Sequence, residues 1–234
     1  MHPTLFKVGN FPIHTYGVMI AIGFLLCVWW SKQEAQRLRI NVDRMIDLSF
    51  WSLLVGMVGS RILFVFTRWS HFSENLIEIF YVWEGGLVFW GGPLFCIPFF
   101  FWYTKKYKMP RWKVLDIAGQ CVPIAHAFGR LGCLSAGCCH GRPTNGGWGV
   151  KLYSELVEPS LRGVYLHPTQ LYESASLFLL FVILSRVRFR QKFDGQIACM
   201  YLILYAIIRM VTETFRGDTV RGFVISDVIS TSQF

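Results

Sequence analysis

The sequence predicts an all-α polytopic membrane helix bundle with about six transmembrane helices and a small extracytoplasmic cap. Three observations lead there. The 234 residues are 53% hydrophobic, 17% aromatic and only 16% charged, with a mean hydropathy of +0.42, too apolar and charge-poor for an ordinary soluble domain. The apolar residues fall in runs of about the 20 residues that a helix needs to cross a hydrocarbon core about 30 Å thick. The basic residues behind the net charge of +9 sit in short tracts between those runs, the pattern of cytoplasmic loops rather than of a nucleic-acid-binding face.

In chain order the six runs are residues 14–31, 46–67, 87–103, 114–134, 169–186 and 195–215. The N-terminal MHPTLFKVGNFPIH carries one lysine and leads into no small-residue cleavage pattern, so no cleavable signal peptide is expected. Residues 32–44 hold Lys32, Arg37, Arg39 and Arg44; residues 104–113 hold Lys105, Lys106, Lys108, Arg111 and Lys113; residues 186–192 hold Arg186, Arg188, Arg190 and Lys192. The alternate loops are poorer: Arg68 stands against Glu74, Glu78 and Glu84, while Arg142, Lys151 and Arg162 are spread over residues 139–168. That asymmetry places the N-terminus outside and, with six spans, the C-terminus outside too. Residues 72–83, apolar at Leu76, Ile77, Ile79 and Phe80 beside acids, suit a short helix lying at the interface. Residues 139–168, rich in Gly, Pro, Asn and Trp, read as an ordered cap within one integral membrane domain spanning 1–234.

Two blocks stand out. HAFGRLGCLSAGCCHGRPT at 126–144 puts Arg130 behind an apolar run, and HPTQLYES at 167–174 opens another with His167, Gln170, Tyr172 and Glu173. An ionisable residue at such depth costs several kcal/mol unless it faces protein, water or a charged ligand. Counting rise along each helix, Arg61 lies about 20 Å above Asp47, Arg130 about 21 Å above Asp116 and Arg209 about 21 Å above Gly195, so the three share one level in the outer half. His14 and Tyr16 enter that layer from the first span, Trp90 with Gly91 and Gly92 from the third, Tyr172 and Glu173 from the fifth, and Glu213 and Arg216 finish the sixth. Pairing of Arg61 with Glu213 or Glu173 as internal glue accounts for any one of these. Three arginines against two carboxylates ask for an anion, and guanidinium forks match phosphate oxygens; a phospholipid headgroup is the anion available there. Gly129, Gly132, Gly137 and Gly141 either allow left-handed turns and close backbone approach to a ligand or form a small-residue packing seam.

Of seven cysteines, Cys27, Cys96, Cys121 and Cys199 lie in apolar runs as small hydrophobes. Cys133, Cys138 and Cys139 cluster with His140. The C-x4-C-C-H spacing is not a standard zinc pattern, so neither metal nor other cofactor is expected, and a disulfide is the other outcome for an extracytoplasmic pair. A transporter would also place charge in a membrane cavity, but inverted repeats and mid-membrane charges are features this sequence does not display.

HTYG at 14–17, Gly-Ser-Arg at 59–61, VWEGGLVFWGG at 82–92, the Arg130 block, HPTQLYE and RMVTETFRGD at 209–218 occur in an order and spacing that resemble the prolipoprotein diacylglyceryl transferase family over nearly the whole chain. The resemblance implies transfer of a diacylglyceryl group from phosphatidylglycerol to the lipobox cysteine of secreted prolipoproteins. It also implies release of glycerol phosphate, no metal, and action at the outer leaflet of the bacterial cytoplasmic (inner) membrane. The expected partners are therefore phosphatidylglycerol, prolipoprotein signal peptides and membrane lipid, with the enzyme a monomer. Three departures mark this chain. Trp90 stands where many members carry a functional His, Cys133 and Cys138 stand where the typical signature has the Asn of Arg-x-Gly-Asn and a following Glu, and the chain ends at ISTSQF where the family usually continues into a last helix. The replaced polar residues leave room for a related transferase with a different acceptor.

A lipobox thiol, with a pKa of about 8.5, needs either a base or surrounding positive charge to react at neutral pH. Arg130 and Arg209 are expected to hold the phosphate and Arg61 to support them. Glu173 and Glu213 orient the arginines, and Tyr16 holds the headgroup. Gly132, Cys133, Gly141, Gln170, Tyr172 and Arg216 complete the substrate site, and His126 or His167 is the base, with His126 alternatively a satisfied buried imidazole.

Overall fold

The computed structural model describes residues 4–8, 11–81, 85–154, 157–216, 223–225 and 229–230. Six long helices occupy the six apolar runs: α1 (Thr15–Arg37), α2 (Val42–Thr67), α4 (Gly91–Lys106), α5 (Arg111–Ala136), α6 (Thr169–Val187) and α7 (Gln196–Glu213), with a one-turn α3 (Trp69–Phe72) after α2. The segments Thr15–Arg37, Val42–Thr67, Thr169–Arg190 and Gln196–Glu213 are long and apolar enough to cross a membrane, and the protein is a polytopic helical membrane protein. Helix α4 has 16 residues, short for a crossing, and α5 carries Asp116, Gln120, His126 and Arg130 along its length.

The helix ends differ from the hydropathy boundaries for local reasons. Helix α1 runs on to Arg37 because SKQEAQR is composed largely of good helix formers, and Arg37 Nη2 closes an ion pair of 2.8 Å with Glu34 one turn back. Helix α2 starts at Val42 because the Asn41 side chain accepts a hydrogen bond from Arg44 N at 2.9 Å, a cap that satisfies one of the orphan donors of the first turn. The interfacial segment is two short pieces, Trp69–Phe72 and a 3-10 turn at Leu76–Phe80, and its last residues, 82 and 83, lie outside the described set. Among the described residues three small antiparallel strand pairs lie outside what hydropathy predicts: β1 (Thr4–Val8) with β2 (Phe11–His14), β3 (Val150–Lys151) with β4 (Tyr165–Leu166), and β5 (Phe223–Ile225) with β6 (Ile229–Ser230). The end of the chain falls largely among residues outside the described set.

The chain divides into two compact units, Met1–Trp30 with Leu115–Phe234, and Ser31–Val114. In the second unit α2 packs along α4. Gly59 and Gly91 make the crossing possible: a Cβ on Gly91 would strike the Gly59 carbonyl, and one on Gly59 would lie 2.7 Å from Phe95 Cβ. Small residues let membrane helices approach until dispersion between backbones holds them. In the first unit the same device recurs, with a Gly23 Cβ only 2.9 Å from the Ala125 carbonyl and a Gly119 Cβ 3.0 Å from Ala198 Cα. Ala127, Leu177, Leu180, Leu184 and Ile197 form the buried core between α5, α6 and α7.

Asp116 decides how α7 begins. Its buried carboxylate accepts from Gly195 N at 2.7 Å, Ala198 N at 3.0 Å and Gln191 Nε2 at 2.5 Å, so a side chain of α5 caps the N-terminus of α7 and offsets its dipole. Asp116, five residues into α5, therefore stands level with the start of α7. Residues 139–168 carry their own apolar cluster, Leu152, Val157 and Leu166, under the β3–β4 hairpin.

Candidate active site

Fourteen residues separate Asp116 from Arg130 and Gly195 from Arg209, as read from the sequence. Because Asp116 caps α7, equal rise brings both arginines to the same height, and α6 meets them there with Glu173. Glu173, whose side chain is 2% exposed, lies 3.0 Å from Arg130 Nη2 through Oε1 and 3.7 Å from Arg209 Nη1 through Oε2. Arg209 Nη2 is bound to Glu213 at 2.7 Å, one turn along the same helix. Arg216 stands within electrostatic range of both guanidiniums. Arg130 Nε is buried with no hydrogen-bond partner among the described residues. Among the described residues Arg130, Arg209 and Arg216 gather here with Glu173 and Glu213, and a buried donor without a partner, such as Arg130 Nε, costs about 1–3 kcal/mol, which an anion would offset.

His126, one turn before Arg130, places Nε2 at 3.6 Å from Glu173 Oε1 and its ring 5.3 Å from that of Tyr205. Tyr205 was missed in the sequence. Its hydroxyl donates to Glu173 Oε1 at 3.4 Å, and its position four residues before Arg209 and eight before Glu213 is the helical-stripe signal that could have found it. His167 lies elsewhere, with Nδ1 3.3 Å from the Tyr172 hydroxyl and its ring packed against Phe215. The two histidines therefore have different surroundings, and His126 is the one beside the ionic centre.

The start of α6 is stitched to the cysteine block. Thr169 Oγ1 donates to the Cys139 carbonyl at 2.8 Å, Gln170 Nε2 to the Cys138 carbonyl at 2.6 Å and Ser174 Oγ to the Ala127 carbonyl at 3.1 Å. Gln170 thus positions backbone. Helix α5 continues through the glycines to Ala136, so irregular backbone begins only at Gly137, where φ is +79°; of the four glycines singled out, this one alone has positive φ. Gly132 is a close-packing position, its Cβ direction 3.0 Å from Tyr16 Cδ2, and Gly141 is another, since a Cβ there would strike the Phe215 carbonyl. Gly129 meets nothing within 4 Å.

Cys133, Cys138 and Cys139 bring their sulfurs within 4.8 Å of one another, and all are free thiols. Hydrogen bonds from the Cys133 and Cys138 thiols hold the Cys139 thiol well below the usual range, with Arg216 and Arg130 adding to the effect. Tyr16 lies within electrostatic range of all three sulfurs and of Arg130.

In the other unit Arg61 is buried, and carbonyls fill its hydrogen-bonding capacity. Nε donates to Ile79 at 3.0 Å, Nη1 to Gly85 and Gly86 at 2.7 and 3.1 Å, and Nη2 to Glu78 and Tyr81 at 2.7 and 3.2 Å. One guanidinium thereby ties residues 78–81 and 85–86 to α2. Trp90 precedes α4 with its ring exposed.

A buried arginine–carboxylate centre thus lies among the helices of a polytopic membrane protein. The model of the prolipoprotein diacylglyceryl transferase family matches residues 3–234, and the chain belongs to that family. It is similar to the phosphatidylglycerol–prolipoprotein diacylglyceryl transferase of Clostridium tetani, 32% identical over 234 residues, 100% of this chain and 92% of the relative. It is also similar to the proteins of that name from Finegoldia magna and Clostridioides difficile, each 33% identical over 94% of this chain and 85% of the relative.

Proposed function

We propose that this chain is the enzyme that transfers a diacylglyceryl group from phosphatidylglycerol to the lipobox cysteine thiol of secreted prolipoproteins. The observation that carries the reading is the buried Arg130–Glu173–Arg209 centre, with an Arg130 Nε that has no hydrogen-bond partner among the described residues. The acceptor sulfur attacks the glyceryl carbon that bears the phosphate ester. A C–S bond forms, the C–O bond breaks, and glycerol phosphate leaves with the bonding pair. Arg130 and Arg209 stabilise the charge that gathers on the departing phosphate oxygens, a contribution that grows in a site shielded from water. Glu173 and Glu213 hold the two guanidiniums in place. His126, beside Glu173, takes the thiol proton, and Tyr16 with Gly132 borders the headgroup position.

The membrane is the bacterial cytoplasmic (inner) membrane, with six spans, an outward N-terminus, the site toward the outer leaflet and residues 139–168 as its cap; the enzyme acts as a monomer. Incubation of the reconstituted chain with phosphatidylglycerol vesicles and a lipobox peptide tests the reaction. The native chain is expected to add the diacylglyceryl mass to the peptide and release glycerol phosphate in equal amount, and Arg130→Ala to abolish both. Substantial transfer by Arg130→Ala of native helix content would sink the scheme.

A further inference from the structure

We infer that Cys133, Cys138 and Cys139 form a binding site for a soft monovalent metal ion, Cu(I), held by three thiolate sulfurs. The three sulfurs already lie within 4.8 Å of one another. A trigonal ion bonded to sulfur at about 2.3 Å needs its ligands about 4 Å apart, a movement within rotamer reach. Adjacent cysteines ordinarily point to opposite sides of a chain, which is why Cys138 and Cys139 read poorly as a pair in the sequence. The backbone here removes that objection: Gly137 at φ +79° and Cys139 at φ +60° fold the chain back on the end of α5, where Cys133 waits. A non-glycine residue in the left-handed region is uncommon and costs energy. Thr169 and Gln170, which bind the carbonyls of Cys139 and Cys138, maintain it.

Ligand number and charge select the ion. Among the described residues no fourth His, Cys, Asp or Glu donor joins the group, and His140 Nδ1 lies 3.1 Å from the Gly141 carbonyl. Thiolates favour soft ions such as Cu(I) and Zn(II). Zn(II) seeks four ligands, whereas Cu(I) is content with three. Cys139 lies in electrostatic range of two guanidiniums, Arg216 and Arg130, the latter also paired with Glu173, which eases the negative charge of a thiolate site. Binding releases the protons of those thiols that are not already ionised and requires no electron transfer, because the ion enters and stays as Cu(I).

The test uses the full chain in detergent, reduced and metal-free, titrated with Cu(I) against a chromophoric Cu(I) chelator. One equivalent is expected to bind, and Cys133→Ser, Cys138→Ser and Cys139→Ser are each expected to weaken retention at least about tenfold, while Cys199→Ser leaves it unchanged. Alkylation of the native chain provides a readout independent of variant folding: Cu(I) is expected to protect Cys133, Cys138 and Cys139 but not Cys199, located by peptide mass spectrometry. Equal retention by all variants, or unprotected alkylation, would overturn the site. Tighter retention of Zn(II) than of Cu(I) in the same competition would overturn the choice of ion. A disulfide among the three that persists under the reducing conditions would overturn the proposal as a whole. These readouts involve no turnover, so failure here and failure of the transferase reading are separable.

Discussion

Glu173 is the residue on which the ionic centre depends. It touches Arg130, Arg209, His126 and Tyr205, and its removal would leave two guanidiniums confronting one another in a water-poor interior. Breaking a buried ion pair by deleting one partner costs about 3–5 kcal/mol. Glu173→Ala is therefore expected to lose that much stability in denaturant unfolding from mixed micelles; a loss under about 1 kcal/mol would show the carboxylate to be dispensable for the fold. Trp90 is the opposite case. Its ring is exposed, and an indole accepts no proton from a thiol, so Trp90→Phe is expected to restore lipoprotein maturation in a complementation assay as fully as the native chain. Sequence reasoning reached Glu173, Arg130, Arg209 and Glu213 because charge in an apolar run is conspicuous. It passed over Tyr205 because a tyrosine in a membrane helix is ordinary until its hydroxyl is seen to point at a carboxylate.

At the scale of elements, glycine and aspartate set how the helices meet. A methyl group at Gly91 would strike the Gly59 carbonyl, and overpacking of this kind costs about 1–3 kcal/mol or more. Gly91→Ala is expected to unfold at lower denaturant concentration than the native chain. Gly129, which faces open space within α5, predicts the reverse: Gly129→Ala should gain about 0.5–1 kcal/mol from reduced backbone freedom in the unfolded state. A gain in stability for Gly91→Ala would refute the close crossing of α2 and α4. Asp116→Ala should cost about 1–2 kcal/mol through the lost cap of α7, read as a lower unfolding midpoint in denaturant. Gly59 and Gly91 stood in the sequence only as parts of motifs and Gly23 and Gly119 did not stand out at all, since the partner helix that makes a glycine necessary is a tertiary fact. The hairpins escaped for another reason, being strands of two to five residues, too short to show a period.

For the whole molecule, the distribution of arginine and lysine is the strongest guide to orientation. Three basic loops alternate with two poor ones, and translocation of short loops dense in positive charge is disfavoured. Reporter enzymes fused after Lys108 and after Lys192 are expected to be active on the cytoplasmic side, and one fused after Gly147 on the outer side. The reverse pattern would invert the topology and move the ionic centre to the wrong leaflet for phosphatidylglycerol and a secreted acceptor to meet.

Helical membrane character, the positions of the long helices and the family were legible along the chain, because hydropathy, charge asymmetry and ordered motifs are all local or one-dimensional quantities. The sequence also implied the common level of Arg130 and Arg209, since rise per residue is constant once two helices share a starting height. It took the packed helices to reveal that Asp116 supplies that shared height, that Glu173 stands between the two arginines, that carbonyls fill the hydrogen-bonding capacity of Arg61, and that three thiols converge. Each of these turns on which side chain faces which neighbour at a distance of a few ångströms. That is settled by packing and by the need to satisfy buried polar groups where water is absent, and no spacing along the chain encodes it.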